Sequence, residues 1–445
     1  MRGRGAAALG LGLVWLACAA GALLHRLPLL VGARPVTFVG VILLGLGGLA
    51  VAGVLLRRGA RRPAIAVGLL FAAPLVLLGA RQVRFAWARH RVTSATEKEL
   101  APLGARFLVG YRRLDEALDL ARRGAVAGIY LTDRNVRGRT AADVAREVEA
   151  LQRARRLAGM PPLVIAADQE GGLVEHLSPP LVERPSLGDL AVRHADDPVR
   201  LEAAVRSQAR AVGRELREIG VTLDLAPVVD LETDARPGLD LFSQIARRAI
   251  ARDPARVKEI AGWFCGGLAV EGVGCTLKHL PGIGKSTADS HLVTGRLEVP
   301  RAELETEDLV PFSLWSDRGG PAAIMVSHLV VPAVDGSAPA SLSPALLRGV
   351  ARGGLGFDGL LVSDDFSMFP VALGPGGVGG AACRGLAAGL DLVLVAYDTD
   401  LYYEAMAALL DGCPDAAALS ASFAASQARL ARLLAGVRPE SERGP

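Results

Sequence analysis

The 445-residue chain has no strong charge of either sign: 50 Lys and Arg against 46 Asp and Glu leave a formal net charge of +4. Much of that small excess flanks apolar runs instead of forming a basic face, so the balance implies no nucleic-acid partner. There are only five cysteines, with no pairing motif. Cys265 and Cys275 lie in apolar surroundings, where a buried free thiol is the ordinary reading, and the redox compartment stays open. No Gly-rich dinucleotide loop follows an early strand, which removes the main support for a doubly wound open sheet. No internal repeat recurs beyond an alternation of apolar and helix-like segments.

What is present begins with apolar length. Residues 6–24, 36–56 and 63–80 are uncharged stretches, each long enough to cross a hydrocarbon core of about 30 Å as a helix. The first also fits a cleaved signal peptide, with Arg2 and Arg4 as its charged start and Ala17, Ala19 and Ala20 near a cut. Cys18 lacks the leucine three places ahead that lipidation favours. Nothing in the spans is polar enough to suggest transport. Arg57, Arg58, Arg61 and Arg62 fill the link between the second and third stretches and favour a cytoplasmic link, which puts the rest of the chain outside. Arg81, Arg84, Arg89 and Arg91 pull the other way; the short loop weighs more, so an external domain is expected. The division that follows is a transmembrane region over residues 1–92, a second domain over 93–437 and a loose polar tail over 438–445.

From residue 93 onward, short apolar runs alternate with Arg- and Ala-rich helical segments, the pattern of repeated βα units. Candidate strands cover 107–109, 128–131, 163–167, 222–226, 275–277, 323–327, 359–363 and 390–395. Eight strands predict an α/β fold, a (β/α)8 TIM-like barrel. Polar residues fall where such strands end: Asp168-Gln169-Glu170, Asp230, Lys278-His279, His328 and Asp364-Asp365. Any one of these also fits a helix N-cap. Five strand ends together fit one pocket at the C-terminal face of a barrel.

Four segments carry a resemblance. Asp168-Gln169-Glu170-Gly171-Gly172, Leu225-Ala226-Pro227-Val228-Val229-Asp230, the stretch Lys278-His279-Leu280-Pro281-Gly282-Ile283-Gly284 running on to Asp289-Ser290-His291, and Gly359-Leu360-Leu361-Val362-Ser363-Asp364-Asp365 resemble glycoside hydrolase family 3. They are most similar to its β-N-acetylhexosaminidase branch, in the same order. The resemblance runs from about residue 107 to the last strand and leaves the apolar region out.

The resemblance implies that Asp364, not Asp365, is a nucleophile forming a glycosyl-enzyme ester, so that configuration is retained. It implies a His/Asp dyad in Asp289-Ser290-His291, with His291 as acid and base near neutral pH and Asp289 orienting it. Asp168, Arg248, Lys278 and His279 become substrate-binding residues suited to sugar hydroxyls. Arg248 stands in Ile245-Ala246-Arg247-Arg248, which follows the family pattern loosely, and Arg247 is the alternative. Leu173 replaces a common arginine, and Ile283 replaces a histidine. No metal and no cofactor are implied. The expected activity is that of a membrane-anchored β-N-acetylhexosaminidase acting on cell-wall glycans or muropeptides. A phosphorylase using the same intermediate and an inactive glycan-binding membrane protein are the alternatives.

Overall fold

The computed structural model describes residues 2–234, 242–286, 288–313 and 320–436. The tail expected over 438–445 lies outside the described residues. The chain divides into two compact units, residues 1–93 and 94–445.

The first unit is three helices, α1 (Arg2–Leu24), α2 (Arg34–Arg57) and α3 (Arg61–Ser94). Their apolar residues lie on every side, so burial is not confined to one stripe. Cys18, Ala22, Val41, Phe71 and Leu78 pack inside, with Phe71 seated against Gly48. Leu13, Leu43, Leu69 and Val76 are 60–69% exposed, an outward apolar surface that suits hydrocarbon better than water. Two segments, Pro28–Arg57 and Arg61–Ser94, are long and apolar enough to cross a membrane, whereas the apolar Ala8–Leu24 of α1 is shorter. Of the three expected spans, two therefore meet this test of length and composition. α3 also does not stop at residue 80 but continues as helix through Arg81, Arg84, Arg89 and Arg91.

The second unit is an α/β fold around a parallel eight-stranded barrel. Its strands are β1 (Phe107–Gly110), β2 (Gly128–Tyr130), β3 (Val164–Ala167), β4 (Leu223–Asp224), β5 (Gly274–Leu280), β6 (Ala323–Val326), β7 (Leu360–Ser363) and β8 (Val393–Val395). Each expected strand is present. They pair in the order β7-β6-β5-β4-β3-β2-β1-β8, and a single parallel bridge, Val362 to Leu392, brings the ends together and nearly closes the barrel. The strands are runs of Val, Ile, Leu and Ala because both faces are covered, the inner by Leu108, Val164, Leu223, Met325, Val362 and Leu394 and the outer by helices. Those helices start where polar caps allow: Thr140 with Asp143 and Ser186 with Asp189 form capping boxes, each satisfying two N–H groups that the first turn leaves unpaired.

The free-thiol reading of Cys265 and Cys275 is corrected. They form a disulfide with Cα atoms 5.3 Å apart, and Cys383 pairs with Cys413 at 5.5 Å. Cys265 sits on the helix Pro254–Val270, and the tight turn after it folds β5 back along that helix, bringing Cys275 opposite. A spacing of ten residues has no motif value; the αβ turn creates the proximity. Cys18 remains free and buried.

Candidate active site

At the ends of β3 and β5 the chain places charges in alternation. The Asp168 carboxylate, just past β3, accepts from the Tyr130 hydroxyl and pairs with the Lys278 ammonium. Lys278 Nζ also lies 2.6 Å from Glu170 Oε1. Arg248 grips Glu170 with both arms, Nε to Oε2 at 2.9 Å and Nη2 to Oε1 at 2.7 Å. Its Nη1 donates to Ser243 O at 2.9 Å. Burial by itself would raise the Glu170 carboxyl, but Arg248 and Lys278 outweigh it and hold it at about 2. Burial likewise opposes the Lys278 charge, and Asp168 and Glu170 reverse the shift upward. All three are buried and ionised because the charges compensate one another.

Arg248, not Arg247, is turned into this network. Arg247 is exposed and donates to Gln244 Oε1 at 2.8 Å. Beneath the network Asp224 is fully buried; its Oδ1 accepts the Gln169 N–H at 3.0 Å and its Oδ2 has no hydrogen-bond partner among the described residues. Burial pushes that carboxyl well above its ordinary range.

The end of β5 is set by another buried acid. Asp230 Oδ2 lies 2.7 Å from His279 Nδ1, while Oδ1 accepts the N–H of His279 at 3.1 Å and of Ile283 at 2.8 Å. One carboxylate thus orients an imidazole and the loop that follows it. Ile283 is buried and held through its backbone. Gly284 presses on Leu231 O, where no Cβ fits, and its own carbonyl accepts from Thr233 Oγ1 at 2.8 Å. Leu173 stands at the turn of the antiparallel hairpin Gln169–Gly171 with Val174–Glu175 and is 41% exposed.

Further along this loop Asp289 Oδ1 accepts the His291 N–H at 2.9 Å and lies 3.0 Å from His291 Nδ1, while Oδ2 accepts the Phe242 N–H at 2.8 Å. Burial would raise the Asp289 carboxyl, but the bonds from His291 and Phe242 bring it down to about 2. The His291 side chain is 39% exposed, with the Phe242 ring 5.8 Å away.

Asp364 follows β7. Its N–H donates to Val326 O at 2.9 Å, and its Oδ1 accepts the Asp365 N–H at 2.8 Å. Burial would raise its carboxyl, but His279, His328 and His291, in that order, with the Asp365 amide, bring it below the ordinary value. His279 on β5, His328 after β6 and His291 in the dyad loop thus each favour the charged form of this carboxylate. Asp365 faces elsewhere: it accepts the N–H groups of Ser367, Ala396 and Tyr397 at 2.9, 2.9 and 3.0 Å. It ties β7 to β8, and burial raises it. The adjacent pair is divided into one available and one structural carboxylate.

Asp168, Arg248, Lys278 and His279 thus line the β3–β5 side, and the dyad loop is tied to the segment after β7 by the Phe369 N–H, which donates to His291 O at 3.1 Å. Tyr130, Glu170, Asp230 and His328 belong to the same site without having been singled out as site residues. Glu170, Asp230 and His328 carried a signal, a polar residue at a strand end. Tyr130 carried none, because it ends an apolar run. One acidic group among the described residues, Glu303, Glu307 and Asp308, has the spacing of metal ligands. The Lys285 ammonium lies among them at 2.7, 2.6 and 3.0 Å, so the protein supplies its own cation there.

Residues 97–433 match the family described as glycosyl hydrolase family 3 N terminal domain. A beta-hexosaminidase of Stenotrophomonas maltophilia is 36% identical over 303 residues, 68% of this chain and 85% of that one. A beta-hexosaminidase of Xanthomonas euvesicatoria is 35% identical over 63% of this chain and 79% of its own. Among solved structures, a beta-N-acetylhexosaminidase from Beutenbergia cavernae superposes with a TM-score of 0.66 at 28% identity, covering 76% of this chain and 98% of that one. A family 3 beta-N-acetylglucosaminidase from Paenibacillus superposes with a TM-score of 0.69 at 29% identity, covering 76% of this chain and 62% of that longer protein.

Proposed function

The chain belongs to glycosyl hydrolase family 3, and from that premise we propose that it is a membrane-anchored, retaining β-N-acetylhexosaminidase. It removes N-acetylglucosamine from the non-reducing end of cell-wall glycans or muropeptides. The observation that carries this reading is the Asp364 carboxylate, brought below its ordinary value by His279, His328 and His291, the last of them held by Asp289. Relatives named beta-hexosaminidase, matched over 85% and 79% of their own length, support the reaction type.

Asp364 attacks the anomeric carbon as the glycosidic bond breaks, and His291 gives a proton to the departing oxygen. With Nδ1 directed at Asp289, Nε2 is the nitrogen that delivers it. The sugar is then an ester of Asp364. His291, now neutral, takes a proton from water, which attacks the same carbon and frees Asp364, giving a sugar of the original configuration. Asp168, Lys278, Arg248 and His279 hold the sugar's hydroxyl and acyl-amino groups, with Glu170 and Asp230 fixing their positions.

The outward apolar surface of α2 and α3 supports anchoring. Two disulfides support an oxidising compartment and so an extracytoplasmic barrel. Protease added to intact cells is expected to cut the barrel; full protection would reverse the orientation. The activity is tested by turnover of an aryl N-acetyl-β-glucosaminide beside the matching β-glucoside, with Asp364→Asn as control. Turnover of the N-acetyl substrate alone, absent in the control and giving free sugar with or without phosphate, is expected. A sugar phosphate as product would make it a phosphorylase, and no Asp364-dependent turnover would leave a binding protein.

A further inference from the structure

The two ends of the N-terminal bundle carry arginine in different ways. At the link between α2 and α3, Arg57, Arg58, Arg61 and Arg62 are all exposed. At the other end, where the link from α1 to α2 meets α3, the polar groups turn inward. His25 and Arg34 are buried, and Arg26, Arg81 and Gln82 are partly so. One directed chain of hydrogen bonds joins them. Arg26 Nη2 donates to Gln82 Oε1 at 2.7 Å, which leaves Gln82 Nε2 to donate to His25 Nε2 at 2.9 Å. His25 Nδ1 then donates to Thr37 Oγ1 at 3.0 Å, and the Thr37 hydroxyl to Arg34 O at 3.1 Å. Arg34 Nη2 returns to Arg26 O at 3.4 Å, and Arg81 Nη1 donates to Leu23 O at 2.6 Å, at the end of α1. The Arg26 guanidinium lies 4.0 Å from the Phe85 ring centroid.

In this chain His25 accepts at Nε2 and is neutral. Burial and the like charges of Arg26, Arg34 and Arg81 hold its imidazole below the ordinary value, so all three guanidinium groups bear on one ring. Residues 1–96 contain no Asp or Glu. Every partner that the bundle itself can offer these arginines is therefore neutral. Drawing guanidinium charge out of water is costly unless an anion accompanies it, and the matching charge is one that the bundle does not carry. The surface around the cluster is apolar: Leu29 and Val36 beside the link and Val83 and Trp87 on α3 are exposed. Arginine forks match the paired oxygens of a phosphate. Cations ringed by outward apolar side chains, one of them an indole, suit the headgroup level of a bilayer.

We propose that Arg26, Arg34 and Arg81 form a binding site for the phosphate of an anionic phospholipid, whose acyl chains lie along the exposed apolar residues of α2 and α3. Gln82, His25 and Thr37 hold the arginines in place. This rests on the anchoring reading and adds a lipid preference to it.

The test uses the full chain in non-ionic detergent, titrated with phosphatidylglycerol or phosphatidylcholine of the same acyl chains, with bound lipid counted by native mass spectrometry. A preference for phosphatidylglycerol of about tenfold or more is expected, the scale of one or two basic residues at an anionic headgroup, shrinking as salt rises. In Arg26→Gln/Arg34→Gln the preference is expected to fall to near one, and in Arg57→Gln/Arg58→Gln, at the other end, to persist. Because it is a ratio within one variant, a general loss of folded protein cancels. If the first double variant does not fold, Arg81→Gln alone, at a partly exposed position, is expected to lower the ratio. Equal binding of the two lipids by the unaltered protein would overturn the proposal, as would a preference that survives the first pair of substitutions or is lost equally with the second. Glycerol phosphate at millimolar concentration is expected to leave the lipid in place; displacement would make this a site for free phosphate and overturn the lipid assignment. Membrane fractionation separates the two readings. A chain recovered in the membrane but without lipid preference sinks this site alone, whereas a chain absent from the membrane sinks the anchoring and the site with it.

Discussion

The floor at β3–β5 and the loop that carries the dyad both face Asp364, yet they are held differently. In the floor, Lys278, Glu170 and Arg248 have side chains only 2, 5 and 9% exposed, and each makes at least two ionic or hydrogen-bonded contacts. In the loop, the His291 ring is 39% exposed and has, among the described residues, one polar partner, Asp289. The loop's base is firmer: Lys285 is bound by Glu303, Glu307 and Asp308, and Gly284 by Thr233. A binding floor gains from charges fixed before the sugar arrives, since reorganising them would cost binding energy. An imidazole that must first give and then accept a proton gains from access and small adjustments.

The largest expected effect lies where the two regions meet. Asp364→Asn should lower turnover by on the order of 10^4-fold or more and abolish the mass increase of a trapped glycosyl-enzyme; normal turnover would remove the nucleophile assignment. Next, His291→Ala should cost roughly 10^3-fold on substrates with poor leaving groups and far less on activated aryl glycosides, which need little protonation. Equal losses on both would count against the acid role. Its stability should change by less than about 0.5 kcal/mol, as for other partly exposed positions.

The floor should respond in the opposite way. Glu170→Gln leaves Lys278 and Arg248 sharing one carboxylate in a buried site and should destabilise the fold by about 3 kcal/mol, read by urea unfolding. A silent substitution there would dissolve the contrast. The same network fixes a pH dependence. Glu170 and Asp289 are both held at about 2, below ordinary values of about 4.3 and 3.9. Their contribution is therefore complete above about pH 5 and is lost as pH falls towards 2. Acid unfolding followed by circular dichroism should lie in that window, and Glu170→Gln should move its onset upward because the variant starts with less stability. The smallest effect is at the hinge between the regions: Lys285→Ala should lower turnover of unactivated substrates by roughly fivefold, the scale of one or two partly exposed ion pairs, and Lys285→Arg should restore most of it.

Much of this contrast was readable along the chain, because each strand is a short apolar run and each reactive residue comes just after one. The placements of Asp168, Lys278, His279 and Asp364 needed only the βα alternation. Other features depended on contacts between segments distant in sequence. Arg248 was separable from Arg247 only once Glu170, 78 positions away, was seen to face it. Tyr130 entered the site because β2 ends beside Asp168, and nothing in Gly128-Ile129-Tyr130 marks it as polar machinery. The disulfides escaped for the same reason, since a ten-residue gap says nothing until a helix turns back on a strand.

The sequence by itself determined the eight strands, the apolar N-terminal helices and the family, because these rest on local periodicity and on motifs contained in single segments. Tertiary structure alone decided which of two adjacent carboxylates is available and which of two adjacent arginines is buried. Those outcomes depend on compensation of charge and on desolvation across strand ends. Chain order does not encode these distances until the barrel brings its ends together.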